Sequence, residues 1–146
     1  MLIRDAVDTD VPQIVKMGSR SIQEGPYKRY LPDAPEVTEK TASDIIKRAD
    51  AKVLVSEEDA KLTGVMAFVV FPHYYSGEIT AGELIWYVEP EFRKSMTAIC
   101  LLRAAERIAR EMGAKWSQFT APTDAVGTAY KALGYTPVET TYLKAL

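Results

Sequence analysis

The stretch AGELIWYVEPEFRKSMTA, residues 81–98, joins two kinds of order. Its first eight residues are apolar apart from Gly82 and Glu83 and are rich in Leu, Ile, Trp, Tyr and Val, a composition that suits a strand. Glu89 and Pro90 end that strand, because proline donates no ladder hydrogen bond and drives the residue before it extended. Over residues 96–112 the polar positions Arg103, Glu106, Arg107, Arg110 and Glu111 leave a single wet stripe on an otherwise apolar helix, which Gly113 terminates. A strand therefore passes through a short basic turn into the start of a long buried helix. Unpaired amides and the helix dipole attract phosphate oxygens at such a junction, and open sheets gather ligands beyond their strand ends. Arg93 and Lys94 bring cations to it, and Ser95 and Thr97 bring hydroxyls. By spacing alone, the same residues also suit a helix cap with solvated surface charges.

Working outward, residues 115–120 read as a strand, 125–133 as a short helix closed by Gly134, and 136–143 as a final strand with Val138, Thr140 and Tyr142 in alternation. Upstream, residues 2–7 form a strand that feeds a modest helix carrying Val11, Ile14 and Val15, opened by Asp8, Asp10 and Pro12. Gly18 limits that helix, and a mobile loop follows through Gly25, Pro26, Pro32 and Pro35. Residues 38–48 place Ala42, Ile45 and Ile46 on one helical face, while 52–57 and 62–71 read as two strands of a hairpin. The order β-α-α-β-β-β-α-β-α-β predicts a mixed α/β sheet with helices on both faces.

At 146 residues the chain fits one domain, residues 1–146, and its 47% apolar and 26% charged residues match a globular composition. A net charge of -2 with both signs mixed lacks the basic field that nucleic acid requires. No signal peptide and no apolar run of about 20 residues is present, so the expected location is cytoplasmic with no membrane partner. One cysteine, Cys100, excludes an intrachain disulfide; with the single His73 it leaves too few ligands for a usual zinc site, and no metal is expected. Cys100 sits among apolar neighbours on the long helix and reads as a small core residue. No Gly-x-Ser-x-Gly turn supports a serine hydrolase.

The order of elements, the run from Glu83 to Arg93 and the later AYKALGY at 129–135 together resemble the GNAT acyltransferase superfamily over nearly the whole chain. The resemblance implies a GNAT-like acyl-CoA N-acyltransferase fold of about six to seven strands and four helices. It also implies transfer of an acetyl group from acetyl-CoA to a small-molecule or peptide amine, and a possible homodimer. In that family the strand before the long helix, here 81–88, splays from the next strand, here 115–120, to open a slot for pantetheine. By the resemblance, the Trp86 backbone polarises the acetyl carbonyl and the Val88 backbone pairs with pantetheine, with Tyr87 between them in the coenzyme-binding strand. The pyrophosphate loop falls on Arg93, Lys94, Ser95, Met96, Thr97 and Ala98. Arg93 and Ala98 match its pattern, whereas Met96 stands where the family places its first glycine. A thioether there either points away from the phosphates or crowds them.

Tyr130, four residues before Gly134, falls where the family often sets a tyrosine near the coenzyme sulfur, as general acid for the departing thiolate and as a coenzyme contact. From the residues alone it equally suits a core aromatic on the short helix. Glu83 is a carboxylate in an apolar strand, and burial would raise its pKa towards a base suited to an ammonium acceptor. Strict alternation places Glu83 with Ile85 and Tyr87, away from Trp86 and Val88, so its direction depends on whether a bulge intervenes; a sheet-edge or ion-pair role stays open. Tyr27 and Tyr30 in the first interhelical loop, with His73 and Tyr75 in a later turn, are candidate acceptor-site walls, since binding groups concentrate on loops. A second reading is a GNAT-like binding or regulatory module without turnover, motivated by Met96.

Overall fold

The computed structural model describes all of residues 1–146. Its strands are β1 (Leu2–Asp5), β2 (Ala51–Glu58), β3 (Lys61–Pro72), β4 (Ile79–Val88) and β5 (Trp116–Gln118), and its helices are α1 (Val11–Glu24), α2 (Pro35–Ile46), α3 (Thr97–Glu111) and α4 (Asp124–Ala132). The strands lie in the order β1-β2-β3-β4-β5. Neighbours are antiparallel through β4, and β4 pairs with β5 in parallel, as the α3 crossover between them requires.

Alternation along the central strands divides the core in two. Val53 and Val55 of β2, with Val65 and Ala67 of β3, face Val11, Ile14 and Met17 of α1 and Ala42 of α2. Leu54, Met66 and Phe68 face the other way, onto Leu101, Leu102, Ala105 and Ala109 of α3 and Tyr130 of α4. Helices cover both faces as the sequence predicts, and residues such as Val55, Val65, Met66 and Phe68 are fully buried between them.

Three expectations change. The sheet has five strands rather than six to seven. The last anticipated strand, 136–143, does not form: residues 136–146 make no backbone hydrogen bond, Pro137 removes one donor, and β5 offers a neighbouring edge of only three residues. Val138 and Tyr142 consequently remain exposed. Finally, α1 does not stop at Gly18. A Cβ there would meet Thr38 Cγ2 at 3.1 Å, so this glycine serves the close approach of α2 and not a helix end. No helix is long and apolar enough to cross a membrane.

One irregularity in β4 positions the site. Ile85 pairs with Ala67 and Glu83 with Phe68, so Leu84 has no partner in β3 and forms a bulge. Phe68 belongs to the α3/α4 face, and Glu83, opposite it, turns to that face too. Past the bulge, Trp86 and Val88 also lie on the α3/α4 face while Tyr87 joins the α1/α2 core.

The crossing of β3, β4 and α3 is tight at Gly64, where an added Cβ would stand 2.9 Å from Leu101 Cδ1 and 3.0 Å from the Tyr87 carbonyl oxygen. Gly64→Ala is expected to lower unfolding free energy by about 1–3 kcal/mol in urea titration; an undiminished midpoint would contradict this packing.

Candidate active site

Between β4 and β5 only Thr80 with Trp116, Ala81 with Ser117 and Gly82 with Gln118 are paired, and β4 continues for six further residues without a neighbour on that side. The Glu89 amide donates to the Thr63 carbonyl of the opposite neighbour at 2.9 Å. By antiparallel alternation Tyr87 and Ile85 then bond to β3, so the peptide groups of Trp86 and Val88 face the open side. A wedge with unpaired backbone along one wall results.

Glu83 sits at the apex of that wedge. Its Oε2 accepts the Tyr130 hydroxyl at 2.6 Å and the Thr120 amide at 3.3 Å. The Thr120 amide, just beyond β5, thus bonds a β4 carboxylate in place of a ladder carbonyl, and the side chain holds the two strands apart. Trp86 stacks on Tyr130 with ring centroids 5.2 Å apart, and Phe119 and Tyr135 pack against the same phenol. Tyr135 is fixed in turn by its hydroxyl, which donates to Glu106 at 2.7 Å.

This aromatic surround sets the titration of the pair. Glu83 keeps some solvent contact, yet desolvation raises its carboxyl above the usual range against the opposing pull of the Tyr130 and Thr120 hydrogen bonds. Burial, followed by the charge and hydrogen bond of Glu83, pushes the Tyr130 phenol far above its ordinary value. Tyr135 is raised by burial and by Glu106. The arrangement is a phenol that holds its proton against a carboxylate made more basic than usual, and it can relay a proton between two sides of the wedge.

The turn after β4 is held by its own side chains. Arg93 folds back: its Nε donates to the Val88 carbonyl at 2.8 Å, its Nη2 pairs with Glu24 at 2.5 Å, and its guanidinium lies 5.3 Å from the Tyr87 ring centre. Ser95 Oγ donates to the Phe92 carbonyl at 2.6 Å and accepts the Thr97 amide at 3.2 Å, while Thr97 Oγ1 lies 2.8 Å from Ser95 Oγ and donates to Met1 Sδ at 3.3 Å. Lys94 and Met96 are exposed, and Ala98 packs beside the α3 core. Met96 caps α3 in ordinary right-handed conformation, φ -76°, which needs no glycine, and it is 55% exposed.

On the α1/α2 face of the same strand end, the Tyr87 hydroxyl lies 3.2 Å from Glu24 Oε1 and 3.4 Å from Glu89 Oε2, and Arg20 pairs with Glu89 at 2.6 Å. Burial, helped by these carboxylates, pushes the Tyr87 phenol up to about 12. Tyr27 and Tyr30 are exposed in the segment after α1. His73 and Tyr75 are elsewhere, in the turn that precedes β4, where His73 stacks on Tyr74 at 4.5 Å. The length of β4, about 30 Å at ~3.3 Å per residue, separates that turn from the Val88 end of the strand.

The structure brings together Glu83, Tyr130 and Trp86, adds Thr120, Phe119 and Tyr135, and ties the candidates Tyr87 and Arg93 to Glu24, Glu89 and Arg20, which the sequence did not single out. Of these Glu89 had a faint signal: a strand end beside Pro90 is an unusual place for a buried carboxylate, and Glu89 is 8% exposed.

No protein-family model matches the sequence, and no curated protein matches it. Solved structures do. A transcriptional regulator from Bacillus halodurans C-125 superposes with a TM-score of 0.82 at 19% identity over 99% of both chains. A ribosomal-protein-alanine N-acetyltransferase from Brucella melitensis biovar Abortus 2308 gives 0.75 at 17% over 100% of both. An aminoglycoside antibiotic 6'-N-acetyltransferase from Acinetobacter haemolyticus gives 0.79 at 16%, over 100% of this chain and 98% of that one. The chain shares the fold of these structures, acetyltransferases among them.

Because Glu83 is raised in the folded state, folded protein binds its proton more tightly than unfolded chain does. Its ionisation therefore costs stability as pH climbs from the ordinary carboxylate value, about 4.3, through the raised one. Glu83→Gln is expected to flatten that part of the profile, gaining on wild type as pH rises. Urea denaturation from pH 4 to 8 reads this directly, and parallel profiles would contradict it.

Proposed function

We propose that the chain is an acetyl-CoA-dependent N-acetyltransferase whose acyl-transfer centre is the wedge between β4 and β5. The observation that carries this reading is the Tyr130–Glu83 pair at the apex of a gap walled by unpaired backbone. When bound, acetyl-CoA supplies an activated acyl group on a thiol leaving group. The backbone groups of Trp86 and Val88 suit a pantetheine arm as an added strand would, and the amides of Lys94, Met96 and Ala98 with the Lys94 side chain suit its diphosphate, since those of Ser95 and Thr97 are bonded within the turn. Arg93 has to leave the Val88 carbonyl for that strand-like pairing to complete, and from the turn it can then reach the phosphates.

Glu83 accepts the proton that the acceptor amine loses as its nitrogen bonds the acyl carbon. That step removes the carboxylate charge that keeps Tyr130 a weak acid, so the phenol becomes a better donor as the carbon–sulfur bond breaks. Tyr130 protonates the sulfur and regains a proton from Glu83, which returns the pair to its starting state. No activated nucleophile is needed and transfer is direct; holding the reactants together and orienting backbone dipoles supply the rest. For this step the acceptor amine has to reach Glu83 at the apex of the wedge, while Glu24 and Glu89 line the other face of the Val88 end. The neighbours bearing aminoglycoside and ribosomal-protein names are compatible with such an acceptor.

The Arg93–Val88 contact favours a second reading, binding without turnover, because it occupies part of the edge. Calorimetry with acetyl-CoA and a free-thiol assay with an amine panel separate the two. Transferase function predicts binding and thiol release; binding alone supports the second reading, and absence of binding contradicts both. In the active case Tyr130→Phe is expected to lower kcat by about 10²-fold or more while moving coenzyme Kd little. Undiminished turnover would remove Tyr130 from the mechanism.

A further inference from the structure

Folding leaves few buried polar atoms unpaired, so each exception asks for a physical reason. Among buried side-chain nitrogens and oxygens of this chain the exception is single: the indole nitrogen of Trp86 is buried and has no hydrogen-bond partner. An indole N–H is a donor only, so its partner must be an acceptor. Two acceptors of the wedge are already engaged, Glu83 Oε2 by Tyr130 and Thr120 and the Val88 carbonyl by Arg93. The ring is held firmly, stacked at 5.2 Å on the phenol that bonds the apex carboxylate. The nitrogen is buried in the free protein, so an acceptor reaches it once the side chains over it part, and the donor then gains a bond without losing one to water.

We infer that the Trp86 side chain is a ligand-binding group, donating its indole N–H to a carbonyl oxygen of the acyl-pantetheinyl arm. This role is separate from that of the Trp86 backbone, and it rests on the coenzyme reading above. A neutral carbonyl suits the site because a second anion beside the Glu83 carboxylate would be repelled. The stacking on Tyr130, whose hydroxyl faces the departing sulfur in that reading, makes the thioester carbonyl the first candidate and the amide carbonyls of the arm the alternative source.

The chain has two tryptophans, and Trp116, 60% exposed with its Nε1 donating to Glu78 at 3.3 Å, is a built-in control. A ¹⁵N-labelled sample therefore gives two indole cross-peaks, and Trp116→Phe assigns them. On titration with acetyl-CoA the Trp86 indole proton is expected to move downfield while that of Trp116 stays in place. A shift with acetyl-CoA but not with free CoA identifies the thioester carbonyl; a shift with both identifies an amide carbonyl. Either outcome supports the assignment. Trp86→Phe, which keeps an aromatic ring but loses the donor, should raise the calorimetric Kd about two- to tenfold. Calorimetric binding to wild type with an unmoved Trp86 cross-peak would overturn the assignment and spare the coenzyme reading, whereas no binding at all would end both.

Discussion

One carboxylate oxygen joins the parts of this molecule that matter most. Glu83 Oε2 takes the hydroxyl of Tyr130 from α4 and the amide of Thr120 from the segment beyond β5, while its own backbone belongs to β4. A parallel sheet would ordinarily continue past Gly82 and Gln118 by ladder hydrogen bonds. Here a side chain substitutes for the next rung, and the strands diverge around it. The bulge at Leu84 makes this possible, because without it Glu83 would face α1 and α2 with Ile85 and Tyr87.

The same bulge sorts the chemistry of β4 onto two faces. The α3/α4 face carries Trp86, Tyr130 and the carboxylate that keeps the phenol protonated. The α1/α2 face carries Tyr87 between Glu24 and Glu89, closed by Arg20 and Arg93. Arg93 links the two, since the guanidinium that pairs with Glu24 also holds the Val88 carbonyl on the open edge. Small cavities elsewhere, such as one of about 80 Å³ between Asp5, Ile46 and Lys52, hold no comparable convergence of groups.

Much of this was legible in the residues, because hydrophobic period is a local property. The long helix read from the stripe of Arg103, Glu106, Arg107, Arg110 and Glu111, and the central strands read from their Val, Leu and Phe content, fall within a residue or two of their places. Gly18 misled because glycine ends helices and also lets helices touch, and sequence does not distinguish the two. Val138, Thr140 and Tyr142 misled because alternation records a strand's faces and says nothing of whether a neighbour exists to bond it. Glu83 was recognisable as an odd carboxylate, but its direction hinged on one unpaired residue, Leu84, which no composition announces. Thr120 was unreadable for a related reason: it acts through its amide, which every non-proline residue has.

The central claim is that the open edge of β4 receives acetyl-CoA, and amide hydrogen exchange resolved by residue tests it most directly. In the free protein the Trp86 and Val88 amides should exchange faster than those of Ile85 and Tyr87, which bond to β3, and saturating acetyl-CoA should slow the first two selectively. Amides of Trp86 and Val88 already as protected as their neighbours, or unchanged under saturating coenzyme, would contradict the account.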